Sequence, residues 1–217
     1  MSRLERKYAP KSLAELRGQP HIVRYLTKFV ADPAPQVFMF SGGSGVGKTM
    51  TGRLLAAALG ADPSKDALGG FHQIPAGQQT AESVIETFRG LALRPMFSKT
   101  GWKVLTVDEA DRMSPAAENI WLGRLEQLPA RSVIVFTTNH PEKLPQRIVN
   151  RCTQFAFNDT VAALSAPLKE FSCDVWEAET GSRACPIADA AGHPRMGDWN
   201  PSFRLALRDL DVALMSA

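Results

Sequence analysis

Eight consecutive residues, Gly42, Gly43, Ser44, Gly45, Val46, Gly47, Lys48 and Thr49, fit the pattern G-x-x-x-x-G-K-[ST]. Glycines at these positions let successive backbone N–H groups point inward at phosphate oxygens, and the positive end of a following helix adds to them. Lys48 would reach the β- and γ-phosphates, and Thr49 would offer its hydroxyl to Mg2+. The plain alternative is a glycine-rich turn with an incidental Lys-Thr. An apolar run directly before the motif and a helical pattern directly after it favour the phosphate cradle.

Asp108 and Glu109 follow the apolar run "KVLTV", which puts two carboxylates at the C-terminal tip of a buried strand. Asp108 suits Mg2+ held through a water, and Glu109 suits activation of the water that attacks a γ-phosphate. An acidic loop that merely caps a strand is the bland reading. The run "SVIVF" ends in Thr137, Thr138 and Asn139. Asn139 could hydrogen-bond the attacking water or the γ-phosphate, or it could simply start the turn before Pro141. Arg147 and Arg151, in "PQRIVNRC", read either as a solvated edge or as a guanidinium for charge developing on a phosphoryl group.

These side chains need a frame to hold them. Short apolar runs at 36–40, 70–74, 103–107, 132–138 and 153–157 read as strands. Helical patterns lie between them. One follows the Gly18-Gln19-Pro20 turn, with Leu16, Val23, Leu26 and Val30 at three- and four-residue spacings. A second runs from Lys48 to Gly60, where Gly52 costs about 1 kcal/mol relative to Ala. Thr80 opens a third, and Ser114 with Pro115 opens a fourth. Strands alternating with helices predict an α/β fold, a parallel sheet with helices on both faces. After Asn158 the texture changes to a small helical unit, so the expected division is 1–158 for nucleotide binding and 159–217 for a helical lid.

Composition narrows the class. The 217 residues are 44% apolar and 22% charged, which is ordinary for a globular protein. A net charge of +3 permits a local basic patch but does not argue for nucleic acid. Three cysteines, Cys152, Cys173 and Cys185, contain no CxxC pair, so reduced thiols are expected rather than disulfides or zinc. The charged N-terminus lacks the apolar core of a secretory signal, and no apolar run suits a membrane span. A cytoplasmic location, in a bacterial cell or a phage-infected host, is the expectation.

Four stretches together resemble an AAA+ clamp-loader ATPase subunit of the bacterial DNA polymerase III gamma/tau type. They are "RKYAPKSLAELRGQPHIVRYL", "FSGGSGVGKTMTGRLLAAAL", "VDEADRMSPAAENIWLGRLEQLP" and "TTNHPEKLPQRIVNRCTQF". The resemblance is dense over about residues 5–157 and thin beyond them. It implies that Tyr8, Pro10 and Gly18 surround an adenine, that Asn139 is sensor 1, and that Arg151 is an arginine finger. Arg147 is the runner-up finger. "SFRLALRDLDVAL" is similar to the lid helix that carries sensor 2, which nominates Arg204, with Arg195 as a weaker rival. ATP and Mg2+ are the implied cofactors.

The chain departs from the family pattern in several places. Ala9 replaces an arginine, Arg17 stands where an apolar residue is usual, and Asn150 replaces the serine of Ser-Arg-Cys. No cysteine precedes Cys152, so the zinc-binding insertion is missing. Thirteen residues follow Arg204, too few for the family's collar domain, which points to a minimal form.

The function implied is an ATP-hydrolysing subunit that switches an oligomer on DNA, with partners among other AAA+ subunits, a sliding clamp and primer–template DNA. A helicase loader or other replication remodeller, including a phage-encoded one acting on a replicative helicase, keeps the same engine. A non-hydrolysing ATP-binding adaptor is the third reading, disfavoured because Lys48, Asp108, Glu109 and Arg151 are all present. Arg89, Arg94 and Lys99 flank a helix that could meet DNA phosphates, or they form a solvated helix edge.

Overall fold

The structure, a computed structural model, describes residues 2–194 and 200–216. Five strands form one sheet: β1 (Gln36–Ser41), β2 (Phe71–Ile74), β3 (Lys103–Val107), β4 (Ser132–Thr138) and β5 (Thr153–Ala156). Their order is β2-β3-β4-β1-β5, and every neighbouring pair is parallel. The helices are α1 (Arg3–Lys7), α2 (Pro20–Ala31), α3 (Lys48–Ala58), α4 (Ala81–Ala92), α5 (Pro115–Leu125), α6 (Gln146–Val149), α7 (Val161–Thr180) and α8 (Phe203–Ser216). The expected parallel sheet with flanking helices is therefore present, and helices follow it at the C-terminal end.

Helix starts follow local chemistry. The hydroxyls of Thr80, Ser114 and Thr160 accept from Ser83, Ala117 and Ala163 N–H, satisfying amides that would otherwise lack partners. Leu16 lies before the first long helix rather than in it, because the turn at Gly18 and Pro20 intervenes.

Strand alternation builds two cores. Phe38 and Phe40 of β1 face α2 and α3, meeting Leu26, Leu54 and Leu55. Val37 and Met39 face α4 and α5, meeting Phe88 and Trp121. Strands β3 and β4 are buried on both faces, which explains why these segments are almost continuously apolar.

Gly52 has a packing reason. A Cβ there would lie 2.4 Å from Thr106 Cγ2 on β3, so α3 approaches the sheet more closely than any side chain allows. Gly52→Ala is expected to destabilise the protein by about 1–3 kcal/mol through overpacking, despite the ~1 kcal/mol that helix propensity returns. Urea unfolding would show a lower midpoint at unchanged slope.

The C-terminal helices join the first core through Leu164, Leu168 and Ala206. A third cluster seats Leu4 of α1 among Val175, Trp176, Leu207 and Leu210. Glu179 of α7 ties the N-terminal segment to these helices. It accepts from Lys7 Nζ at 2.6 Å, Tyr8 Oη at 2.8 Å and Arg3 Nη2 at 2.9 Å. Those donors, Lys7 foremost, hold its carboxyl down at about 2. Among the described residues, no helix is long and apolar enough to cross a membrane.

Candidate functional site

Sheet order decides where the site forms. β4 lies between β3 and β1, so its tip stands between the acidic pair after β3 and the glycine-rich turn after β1. A cleft of about 1640 Å3 opens there, bounded by the N-terminal segment on one side and by α7 and α8 on another. This is the crevice beyond the strand C-termini where parallel sheets bind ligands.

Ser44, Gly45, Val46, Gly47, Lys48 and Thr49 line the cleft, and Gly47 takes φ 106, open to glycine, as it enters α3. Gly42 and Gly43 do not line it. Their carbonyls instead hold Lys48 Nζ, each at 2.6 Å, while Asn139 Oδ1 accepts from the same ammonium at 2.7 Å. All three ammonium donors are engaged in this arrangement, and Lys48 is 8% exposed. Burial pulls its pKa down to about 8, opposed chiefly by Asp159. Asp159 also accepts from Gly43 N–H at 2.8 Å, tying the residues just before α7 to the glycine-rich turn.

Thr49 Oγ1 donates to Asp108 Oδ1 at 2.8 Å. A hydroxyl and a carboxylate in direct contact beside the glycine-rich turn are hard oxygen donors of the kind Mg2+ takes, one or two from the protein with the rest of its shell from phosphate and water. Thr137 Oγ1 and Gln73 Nε2 fix Asp108 further, at 3.1 and 2.5 Å. Arg53 in turn donates to Gln73 Oε1 at 2.8 Å, and Gln79 Nε2 donates to the Asp108 carbonyl.

Glu109 is one of three non-glycine residues with positive φ among those described, at 50°. That left-handed backbone turns its side chain off the strand axis, and its Oε2 faces Arg112 Nη1 at 3.0 Å. Asn139, Thr137 and Thr138 complete this end of the cleft.

Tyr8, Pro10 and Gly18 line the opposite end with Leu16, Met50 and Phe171. Arg204, at the start of α8, also lines the cleft, and a Cβ on Gly45 would lie 3.2 Å from Arg204 Cβ. Asn200 Nδ2 donates to Ser44 O at 3.1 Å, so the segment before α8 touches the glycine-rich turn directly. Arg195 lies outside the described residues.

The profile of the ATPase family associated with various cellular activities (AAA) matches residues 38–160. The chain belongs to the AAA family. It is 32% identical to DNA polymerase III subunit tau/gamma of Haemophilus influenzae over 170 residues, covering 70% of this chain and 24% of that one. It is also 32% identical to replication factor C subunit 3 of Saccharomyces cerevisiae over 152 residues, covering 70% and 44%. The chain thus spans about a quarter to a half of the length of these relatives. Its fold matches the RuvB Holliday junction branch migration motor of Thermotoga maritima with a TM-score of 0.66 at 17% identity, over 97% of this chain and 68% of that one.

In this AAA chain Arg151 is absent from the cleft lining. Thr153 pairs with Phe38, so Arg151 lies level with the beginning of β1, while the glycine-rich turn follows its end at Ser41. Three strand steps, Phe38 to Ser41, separate the first residue of β5 from that end, about 10 Å at ~3.3 Å each, and Arg151 lies further back in the turn before β5. The guanidinium is 36% exposed and held by Glu126 Oε1 at 2.8 Å and Arg147 O at 2.7 Å. Helix α6 ends at Val149, so Arg147 and Arg151 do not share one continuous helical face, and Arg147 instead donates weakly to Asn119 at 3.5 Å. Arg89, Arg94 and Lys99 are exposed at and beyond the end of α4.

Proposed function

We propose that the protein is an ATP-hydrolysing subunit of a clamp-loader-like replication assembly, with its active site completed by a neighbouring subunit. The observation that carries this reading is that Lys48, Thr49, Asp108, Glu109 and Asn139 line one cleft while Arg151, in the turn before β5, does not. Similarity to clamp-loader subunits of bacteria and eukaryotes supports the replication setting.

In this mechanism the amides of residues 44–49 cradle the phosphates, and Lys48 gives up its Asn139 contact to meet them. Mg2+ held by Thr49 and Asp108 would neutralise phosphate charge. Glu109 takes a proton from the attacking water, which Asn139 orients. A neighbour's Arg151 stabilises charge on the transferred phosphoryl. Tyr8, Pro10 and Gly18 enclose the adenine, and Arg204 reports the nucleotide to the helical unit beyond Asn158.

Lys48 makes ATP binding pH-dependent. Its lowered pKa means the free protein carries the charge below a pH of about 8 and loses it above. Phosphates favour the charged form, so affinity for ATP should be flat below that point and fall by up to about tenfold per unit above it. Equilibrium titration with a fluorescent ATP analogue across that range measures the effect.

The replication role is tested by phosphate release with and without primer–template DNA and clamp. Stimulation is expected. ATP binding with no hydrolysis under either condition would instead favour an adaptor.

A further inference from the structure

Lys103 occupies an unusual place for a lysine. It opens β3 on the sheet face that carries Leu105 and Val107, and it is only 7% exposed. A small, open surface pocket of about 250 Å3 lies beside it, at the N-terminal edge of the sheet, opposite the nucleotide cleft. Its lining is Ala92, Arg94, Gly101, Lys103, Ala130 and Arg131. The charges are therefore three cations and no carboxylate.

The geometry is built rather than incidental. Arg131 takes φ 54, and its carbonyl accepts from Lys103 N–H at 2.8 Å, which locks the two residues together. Arg131 Nη1 donates to Thr100 O at 2.9 Å. The guanidinium thereby lies over Gly101, whose absent Cβ would sit 3.5 Å from Nη1. Among the described residues, no hydrogen bond or ion pair engages the Lys103 ammonium or the Arg94 guanidinium, and no acid group lines the cavity to oppose them.

Burial and then Arg131 pull the Lys103 pKa down. His72, buried on the adjacent strand, is likewise pulled down by burial and then by Lys103. The folded protein thus buries Lys103 and His72 near one another, with the exposed Arg94 and Arg131 adding positive charge at the open side that a counter-anion would offset.

We infer that the cavity formed by Arg94, Lys103 and Arg131 is a binding site for a phosphate-class oxyanion. Two guanidinium forks and an ammonium match the charge and the tetrahedral oxygens of such a group. The site is separate from the nucleotide cleft and does not depend on ATP hydrolysis.

The test uses the Lys48→Ala protein, so that the phosphate cradle loses its lysine. Thermal unfolding is followed against inorganic phosphate, with sodium chloride holding ionic strength constant. A saturable rise of about 3–6 °C at roughly ten times Kd is expected. Lys103→Met and Arg131→Gln, added singly to that background, should abolish it. The exposed Arg131→Gln and Arg94→Gln changes keep the test valid should Lys103→Met fail to fold. A dinucleoside phosphodiester in place of phosphate separates the sources: an equal rise identifies a nucleic-acid backbone phosphate, and its absence identifies a free phosphate or monoester. An unsaturable rise shared by all variants, as salt exclusion gives, would overturn the inference. So would an equal rise with acetate.

Discussion

Glu109→Gln is expected to bind ATP as tightly as the unaltered protein and to hydrolyse it about 10²–10⁴-fold more slowly. Glutamine keeps the size and left-handed backbone demand of the residue but cannot take a proton from water. The nearby groups do not compensate. Asp108 is already engaged by Thr49, Thr137 and Gln73. Asn139 has no basic atom. Steady-state phosphate release, set beside equilibrium ATP binding, separates the two effects. Undiminished hydrolysis would remove Glu109 from the chemistry.

Arg151→Ala should cost about 10³–10⁵-fold in turnover, the range that arginine fingers supply in other nucleotide hydrolases. The loss should fall on turnover rather than on ATP affinity, because Arg151 lies outside its own subunit's cleft. Stability should change little, since its pair with Glu126 is exposed, with the two side chains 36% and 61% accessible. Arg147→Ala is the matched control. It carries the same charge change four residues earlier and should leave turnover near normal.

The parts of the site that are contiguous in the chain are legible in the sequence alone. Gly42 to Thr49, with an apolar strand before and a helix after, carries its own context. Asp108, Glu109 and Asn139 are legible because each closely follows an unmistakable buried strand. The supporting shell is not. Gln73 and Gln79 are ordinary polar residues 35 and 29 positions from their partner at Asp108, and they reach it only through the pairing of β2 with β3 and the loop that follows β2. Asp159 and Asn200 touch the glycine-rich turn across separations of 116 and 156 residues, with no local pattern to signal it. Tyr8 shows a different limit. Its place on the cleft wall follows from the family resemblance, but its hydroxyl bond to Glu179 depends on how α1 meets α7. Gly52 reads as a defect in a helix until the nearness of Thr106 explains it. Lys103 does leave a trace: a lysine at a core-facing strand position is a signal that an apolar-run reading passes over.

Everything proposed for Arg151 requires that one active site be shared between two subunits. The decisive experiment mixes Arg151→Ala protein with Lys48→Ala protein and follows phosphate release from Mg-ATP under conditions where oligomers are verified. Each protein alone should be inactive. In the mixture, an intact Lys48 on one subunit meets an intact Arg151 on its neighbour, so activity should return to a fraction set by the mixing ratio. A mixture as inactive as its components, with mixed oligomers demonstrated, would rule out the shared site.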